Sequence, residues 1–285
     1  MNRLISGESL QELADLTIIY NNQDHLGLVK DQLPNTNCDY ITIDGDVTVD
    51  QIDKISSAKS IFVYTHALDL FFNGVFKKIV VPFTLITHNS DHGITDRFLK
   101  YLDDDRIIAW FCQNMETSHK KLFAIPIGLA NSQWPHGNFD LIKSIKNKNL
   151  KKDILVFKNF DVGTNHSERS QCDHITSQNG IPMSPSRDIV SYWEYISRSK
   201  FIISPWGGGV DCHRVWECLF LNTIPIVKYH IAHSQWEHLP ILFIDNWADV
   251  TESFLRDKIK DYPDKFEIDE LDIKYWENTI NSFVI

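Results

Sequence analysis

The sequence predicts an α/β chain built on parallel sheets, and three observations carry that expectation. Short β-type runs alternate with stretches of helical spacing along the chain, the pattern of strands covered by helices. One of these, 200–229 (KFIISPWGGGVDCHRVWECLFLNTIPIVKY), reads as strand, glycine loop, helix and strand in succession. The length, 285 residues, suits one large domain or two of ordinary size.

Taken in order, LTIIY (16–20) is the first strand, and YITID (40–44) is the second, its alternation closed by Gly45 and Asp46. Positions 50–59 read as a helix, SIFVY (60–64) as a strand and 67–76 as a helix. FTLIT (83–87) is a strand that leads into His88-Asn89-Ser90-Asp91-His92-Gly93. A helix over 95–102 and strands at 107–110 and 122–127 follow. The stretch 140–153, LIKSIKNKNLKK in its middle, is rich in lysine and asparagine and reads as an interdomain connection; composition alone allows a solvated helix and loop equally well. ILVF (154–157) opens a second set of strands, 159–171 is a polar loop and helix start, and 188–197 is a helix. The strand 201–203 stops at Pro205, and Gly207, Gly208 and Gly209 follow. Glycines there can take backbone angles closed to other residues and let a ligand approach the main chain. Asp211 stands where a helix N-cap belongs. Val215, Cys218, Leu219 and Asn222 then fall at i, i+3, i+4 and i+7. A strand over 223–227 is entered through Asn222 as a left-handed helix end, 242–245 is a further strand, and 271–283 is a terminal helix.

Composition narrows the function classes. Hydrophobic residues make up 43% and aromatic residues 12%, ample for packed cores. The eight tryptophans supply flat apolar faces of the kind used in cores and against sugars. A net charge of −10 argues against a general nucleic-acid or anionic-membrane surface, so any phosphate recognition must be local. The five cysteines (38, 112, 172, 212 and 218) are odd in number and form no C-x-x-C. Neither a zinc ribbon nor a disulfide framework is expected, and free thiols suit a reducing compartment. The first residues carry acids early and no long apolar run, so no secretory signal is expected. Nothing approaches the ~18 apolar residues of a spanning helix. The expectation is a soluble cytoplasmic protein.

A strand feeding a glycine loop and a helix N-terminus is suited to an anion, because free N–H groups and the positive end of the helix dipole point at it. The first turn here also carries His213 and Arg214, with Glu217 one turn after His213. A plain βαβ turn would have the same outline; the density of polar groups favours a site. Asp211 caps the helix or joins that site, and His213 is either a phosphate ligand or structural. Tyr192 and Trp193 either bound a base pocket or pack in the core.

At these residues a resemblance becomes specific. Ser204-Pro205-Trp206-Gly207, Asp211-Cys212-His213-Arg214, Glu217 and Ile224-Pro225-Ile226-Val227 resemble the C-terminal motif of the exostosin-like (family 47 type) glycosyltransferases and their shorter viral and bacterial relatives. THNSDHGITDRFLKYLDD, WFCQN and IPIGLANSQWPHGN are similar to the N-terminal half of the same relatives. The recognisable blocks cover about half the chain. Many relatives have arginine where this chain has Trp206.

The resemblance implies a GT-B fold, two Rossmann-like domains facing across a cleft: 1–145 on the acceptor side, 146–266 holding the donor, and a helix within 267–285 that returns to the first domain. It implies an inverting transferase that moves a sugar from a nucleotide-sugar to a glycan hydroxyl. The expected donor is a UDP-sugar, with UDP-xylose, UDP-glucuronate and UDP-GlcNAc as candidates, and no resident metal or cofactor. Arg169, Arg214 and the amides of Gly207, Gly208 and Gly209 would hold the donor diphosphate, arginine forks being suited to phosphate, and Ser204 and His213 are further donor-binding candidates. Glu217 would take ribose or sugar hydroxyls. Inversion needs a base for the acceptor hydroxyl, and Asp91, His92 and His88 are the candidates. Asn131, Trp134 and His136 would lie on the acceptor side. A GDP-fucose-type transferase, a metal-dependent hydrolase built on His88, Asp91 and His92, and a non-catalytic nucleotide-sugar-binding protein remain as alternatives.

Overall fold

The computed structural model describes residues 3–21 and 36–284. The chain divides into two compact units. One comprises Met1–Gln133 together with Asp272–Ile285, the other Trp134–Leu271.

The first unit opens with a short helix, α1 (Gly7–Gln11), started by a Ser6/Ser9 capping box. Its sheet has the order β2-β1-β3-β4-β5-β6, parallel throughout. The strands are β1 (Leu16–Tyr20), β2 (Tyr40–Ile43), β3 (Ser60–Tyr64), β4 (Phe83–His88), β5 (Ile107–Cys112) and β6 (Leu122–Ala124). Strands β1, β3 and β4 are buried along their whole length, as both faces of a parallel sheet are when helices cover them. The edge strand β2 instead alternates exposed and buried residues. Between strands lie α2 (Val49–Ser57), α3 (Leu68–Asn73) and α4 (Leu99–Leu102). The last two are shorter than sequence spacing predicts, because 3-10 turns take up their flanks.

The second unit starts with α5 (Phe139–Asn147), where sequence composition predicts a connection. Asn138 caps it, and Ile142 and Ile145, three apart, are buried. The lysines that dominate its composition are on the other face or cover apolar surface, as Lys146 does above the Phe220 ring at 4.3 Å. The division between units therefore falls at Gln133/Trp134 rather than 145/146, and at Leu271/Asp272 rather than 266/267. The sheet order is β10-β9-β8-β7, again parallel. Its strands are β7 (Ile154–Phe157), β8 (Ser199–Ile203), β9 (Ile224–Lys228) and β10 (Leu242–Ile244). Helices α6 (His166–Gln178), α7 (Ile189–Arg198), α8 (His213–Phe220) and α9 (Glu252–Lys258) accompany them. Phe160, Phe201, Ile203, Ile226, Ile244 and Trp247 are among the residues of its core.

The final helix, α10 (Ile273–Asn281), belongs to the first unit. Ile273 N–H donates to the Arg3 carbonyl at 3.0 Å, and Trp276 is buried. Beyond it the Phe283 ring packs on Phe111 and Phe123. The fold class is thus α/β with two Rossmann-like parallel-sheet units. Among the described residues no helix is long and apolar enough to cross a membrane.

Candidate functional site

Parallel strands send their carboxyl ends to one edge of a sheet, and ligands of such sheets bind beyond that edge. In the second unit this edge brings together the loop after β7, the start of α6, the glycine loop after β8 and the start of α8. Asn165 caps α6 by accepting from Glu168 N–H, and its Nδ2 donates to the Gly207 carbonyl at 2.8 Å. Arg169 is buried. Its Nε donates to the Trp206 carbonyl at 2.8 Å and its Nη1 to the Asp161 carbonyl at 2.7 Å. Arg169 thus ties the glycine loop to the loop after β7.

The glycine requirement at 207 comes from proximity. A Cβ there would meet Arg169 Nη2 at 3.2 Å and Cys212 Sγ at 3.4 Å. The left-handed glycines among the described residues are Gly45, Gly128 and Gly180, so unusual backbone angles are not what 207–209 provide. Trp206 turns its indole away and donates from Nε1 to the Lys228 carbonyl at 3.0 Å, bracing the loop on the end of β9.

Helix α8 begins one residue later than the sequence predicts. Cys212, not Asp211, occupies the N-cap, and it makes no side-chain capping bond. Asp211 accepts instead from Trp216 Nε1, at 2.9 and 3.0 Å to its two oxygens. Arg214 Nε donates to the Tyr192 hydroxyl at 3.0 Å, while its Nη1 is inaccessible and has no partner. The guanidiniums of Arg169 and Arg214 each lie 5.8 Å from the Phe160 ring centre. Burial, then repulsion by Arg214, lowers the Arg169 pKa. Among the described residues neither guanidinium makes a salt bridge, although Arg214 attracts the Glu217 carboxyl. The Ser204 hydroxyl at the head of the loop is also buried without a partner. Glu217, three residues after Arg214, is buried, and burial raises its pKa to about 7 against the opposing pull of Arg214. Trp193 is fully buried in the core rather than lining a pocket.

Trp134 and His136 belong to this second unit, not to the first half where sequence order puts them. Their rings stack with centres 6.3 Å apart, and His136 meets His213 edge-on at 5.9 Å. Burial lowers the His136 pKa.

The first unit carries a separate polar network at its carboxyl edge. Asn131 Oδ1 accepts from Glu8 N–H at 3.0 Å, and its Nδ2 donates to Asn89 Oδ1 at 3.3 Å. Asn89 and the Tyr64 hydroxyl both donate to Gln11 Oε1. Asn89 holds a left-handed backbone (φ 57°), and a Cβ on Gly7 would stand 1.7 Å from its Oδ1. His88 is buried inside this network. Its Nε2 donates to the Pro126 carbonyl at 3.0 Å and its Nδ1 meets Asn89 Oδ1 at 3.1 Å. His88 is thus enclosed, which removes it from the exposed bases; burial accordingly lowers its pKa. Asp91 and His92 are exposed. His66, at the end of β3, was not singled out by sequence, yet it lies near enough to His92 to feel its charge; burial first, then His92, lowers its pKa to about 4. Only the pairing of β3 with β4, Tyr64 beside His88, brings that histidine to this edge.

No protein-family model and no curated protein matches the chain. Among solved structures, UDP-GlcNAc 2-epimerase from Methanocaldococcus jannaschii is similar over 94% of this chain and 98% of that chain, at 11% identity and a TM-score of 0.39.

Proposed function

We propose that the chain is an inverting glycosyltransferase of the exostosin-like type, with a UDP-sugar as donor. One observation carries the reading. Two guanidiniums, Arg169 and Arg214, converge on Phe160 beside the N-terminus of α8, with no salt bridge to either among the described residues and with Arg214 Nη1 unpartnered. Unpaired buried cations are costly, and a diphosphate would supply the missing negative charge. The donor set suits phosphate oxygens: the guanidiniums of Arg169 and Arg214 beside the N-terminal end of α8.

In this reading the diphosphate leaves as the acceptor oxygen attacks the anomeric carbon. Charge growing on the leaving oxygen is taken by Arg169, Arg214 and the helix end, with no metal ion required. The acceptor proton passes to Asp91 or His92, the exposed groups of their loop. Glu217 bonds donor hydroxyls. UDP-xylose, UDP-glucuronate and UDP-GlcNAc are the donors to screen, with GDP-fucose as the alternative.

The test is a thermal-shift series with UDP, GDP, CDP and TDP, each with and without EDTA. A ligand that binds the native state raises Tm by mass action. A rise with one nucleotide that survives EDTA, and its loss in Arg214→Ala, is expected. Absence of any shift, or a full shift in Arg214→Ala, overturns the donor site. A shift without turnover on any sugar or acceptor would leave a nucleotide-sugar-binding protein.

A further inference from the structure

Asn165 and Arg169 stand four positions apart at the start of α6, and each takes hold of the glycine loop by a main-chain carbonyl. Arg169 Nε donates to the Trp206 carbonyl at 2.8 Å, and Asn165 Nδ2 donates to the Gly207 carbonyl at 2.8 Å. Two successive carbonyls of the loop are thereby turned toward α6. On its other side the loop is fixed to β9 by the Trp206 indole, bonded to the Lys228 carbonyl.

A trans peptide points its C=O and the N–H that follows in opposite directions, and the described residues contain no cis peptide bond. Holding the Gly207 carbonyl on α6 therefore aims the Gly208 N–H away from α6. Gly208 is exposed, whereas Gly207 and Gly209 on either side are buried. The Gly207 N–H is spent inside the loop, on the Gly209 carbonyl at 3.0 Å. The exposed residue of the loop is thus the one whose amide Asn165 orients. Asn165 has a second task, since its Oδ1 accepts from Glu168 N–H at 3.3 Å and so caps α6. An amide side chain does both at once, with an acceptor for the helix and a donor for the loop. A serine hydroxyl accepts the capping bond but lacks the second atom that reaches the loop.

We infer that Asn165 is a positioning residue of the anion site: by holding the Gly207 carbonyl it aims the Gly208 N–H at a phosphate oxygen, touching no ligand itself. The inference rests on the donor reading above for the identity of that anion. The hold of Asn165 on the loop stands apart from it and is tested separately.

The test uses the full chain, as wild type, Asn165→Ser and Asn165→Ala. Calorimetric titration with UDP and with inorganic pyrophosphate reads affinity. Melting without ligand reads the cap, and hydrogen exchange by mass spectrometry reads peptides covering 204–212. Serine is as good an N-cap as asparagine and alanine is a poor one, so Tm should fall in Asn165→Ala and hold in Asn165→Ser. Affinity for UDP and for pyrophosphate should instead fall about tenfold in both variants, a hydrogen bond to a charged group being worth about that factor. Exchange over 204–212 should rise in both. Affinity that follows Tm, kept in Asn165→Ser and lost only in Asn165→Ala, overturns the positioning role and leaves Asn165 a helix cap. Unchanged exchange over 204–212 in Asn165→Ser overturns the hold on the loop. Wild type that binds neither UDP nor pyrophosphate overturns the donor reading and the phosphate target with it, while the exchange data still decide whether Asn165 holds the loop.

Discussion

Glu217 shows how one residue couples folding to the site. Its carboxyl is buried, and its pKa is raised from 4.5 to about 7, mainly by burial. The folded state thus prefers the protonated form more than the unfolded state does. The stability linked to this group is full below the unfolded value and is lost as pH rises through about 7. Glu217→Gln cannot ionise, so without nucleotide it should be more stable than wild type at pH 8, by up to ~3 kcal/mol, and near parity at pH 4.5. Urea unfolding at the two pH values measures this, and an equal difference at both would refute it. Gly207 makes a second residue-scale case. Gly207→Ala places a methyl 3.2 Å from Arg169 Nη2. The guanidinium must give way, so nucleotide affinity should drop several-fold with little change in Tm, a difference that titration calorimetry can read.

At the scale of elements, the strands were legible because buried parallel strands are short apolar runs with few other meanings. The strand, glycine loop and helix over 199–220 were legible because their outline is local in sequence. The stretch 140–153 was not, because its lysines masked two buried isoleucines three apart on α5. Lys152, beyond that helix, shows what such a lysine does. Its Nζ donates to the carbonyls of Ser197 and Ser199 and to the Thr223 hydroxyl at 3.1, 2.7 and 2.6 Å. One ammonium thereby joins the approach to β7, the end of α7, the start of β8 and the turn before β9, and burial lowers its pKa to about 8. Lys152→Met strands those acceptors and should cost about 2–3 kcal/mol. Chemical denaturation decides it, and a loss under half a kcal/mol would show the staple to be idle.

At the scale of the molecule, the first unit is completed by the last residues of the chain. Asp272–Ile285 supplies Trp276 and Ile280 to its core and Phe283 to the rings of Phe111 and Phe123. The second unit has its own sheet and core. A chain ending at Leu271 should therefore lose amide protection in β4, β5 and β6 while β7 to β10 keep theirs. Hydrogen exchange by mass spectrometry measures this, and unchanged protection in β4–β6 would sink it.

The sequence by itself determined the α/β class, the order of strands and the loop at which an anion is expected. Each of these depends on residues within about twenty positions of one another, where spacing and turn chemistry act directly. Tertiary structure alone decided which polar groups are free and which are spent. His88 is enclosed by Pro126 and Asn89, and Asp211 is bound to Trp216. His66 is brought to the edge beside His88 by strand pairing, and Trp134 joins the unit that holds α8. Those outcomes turn on burial and on contacts between distant segments, which spacing along a chain does not encode.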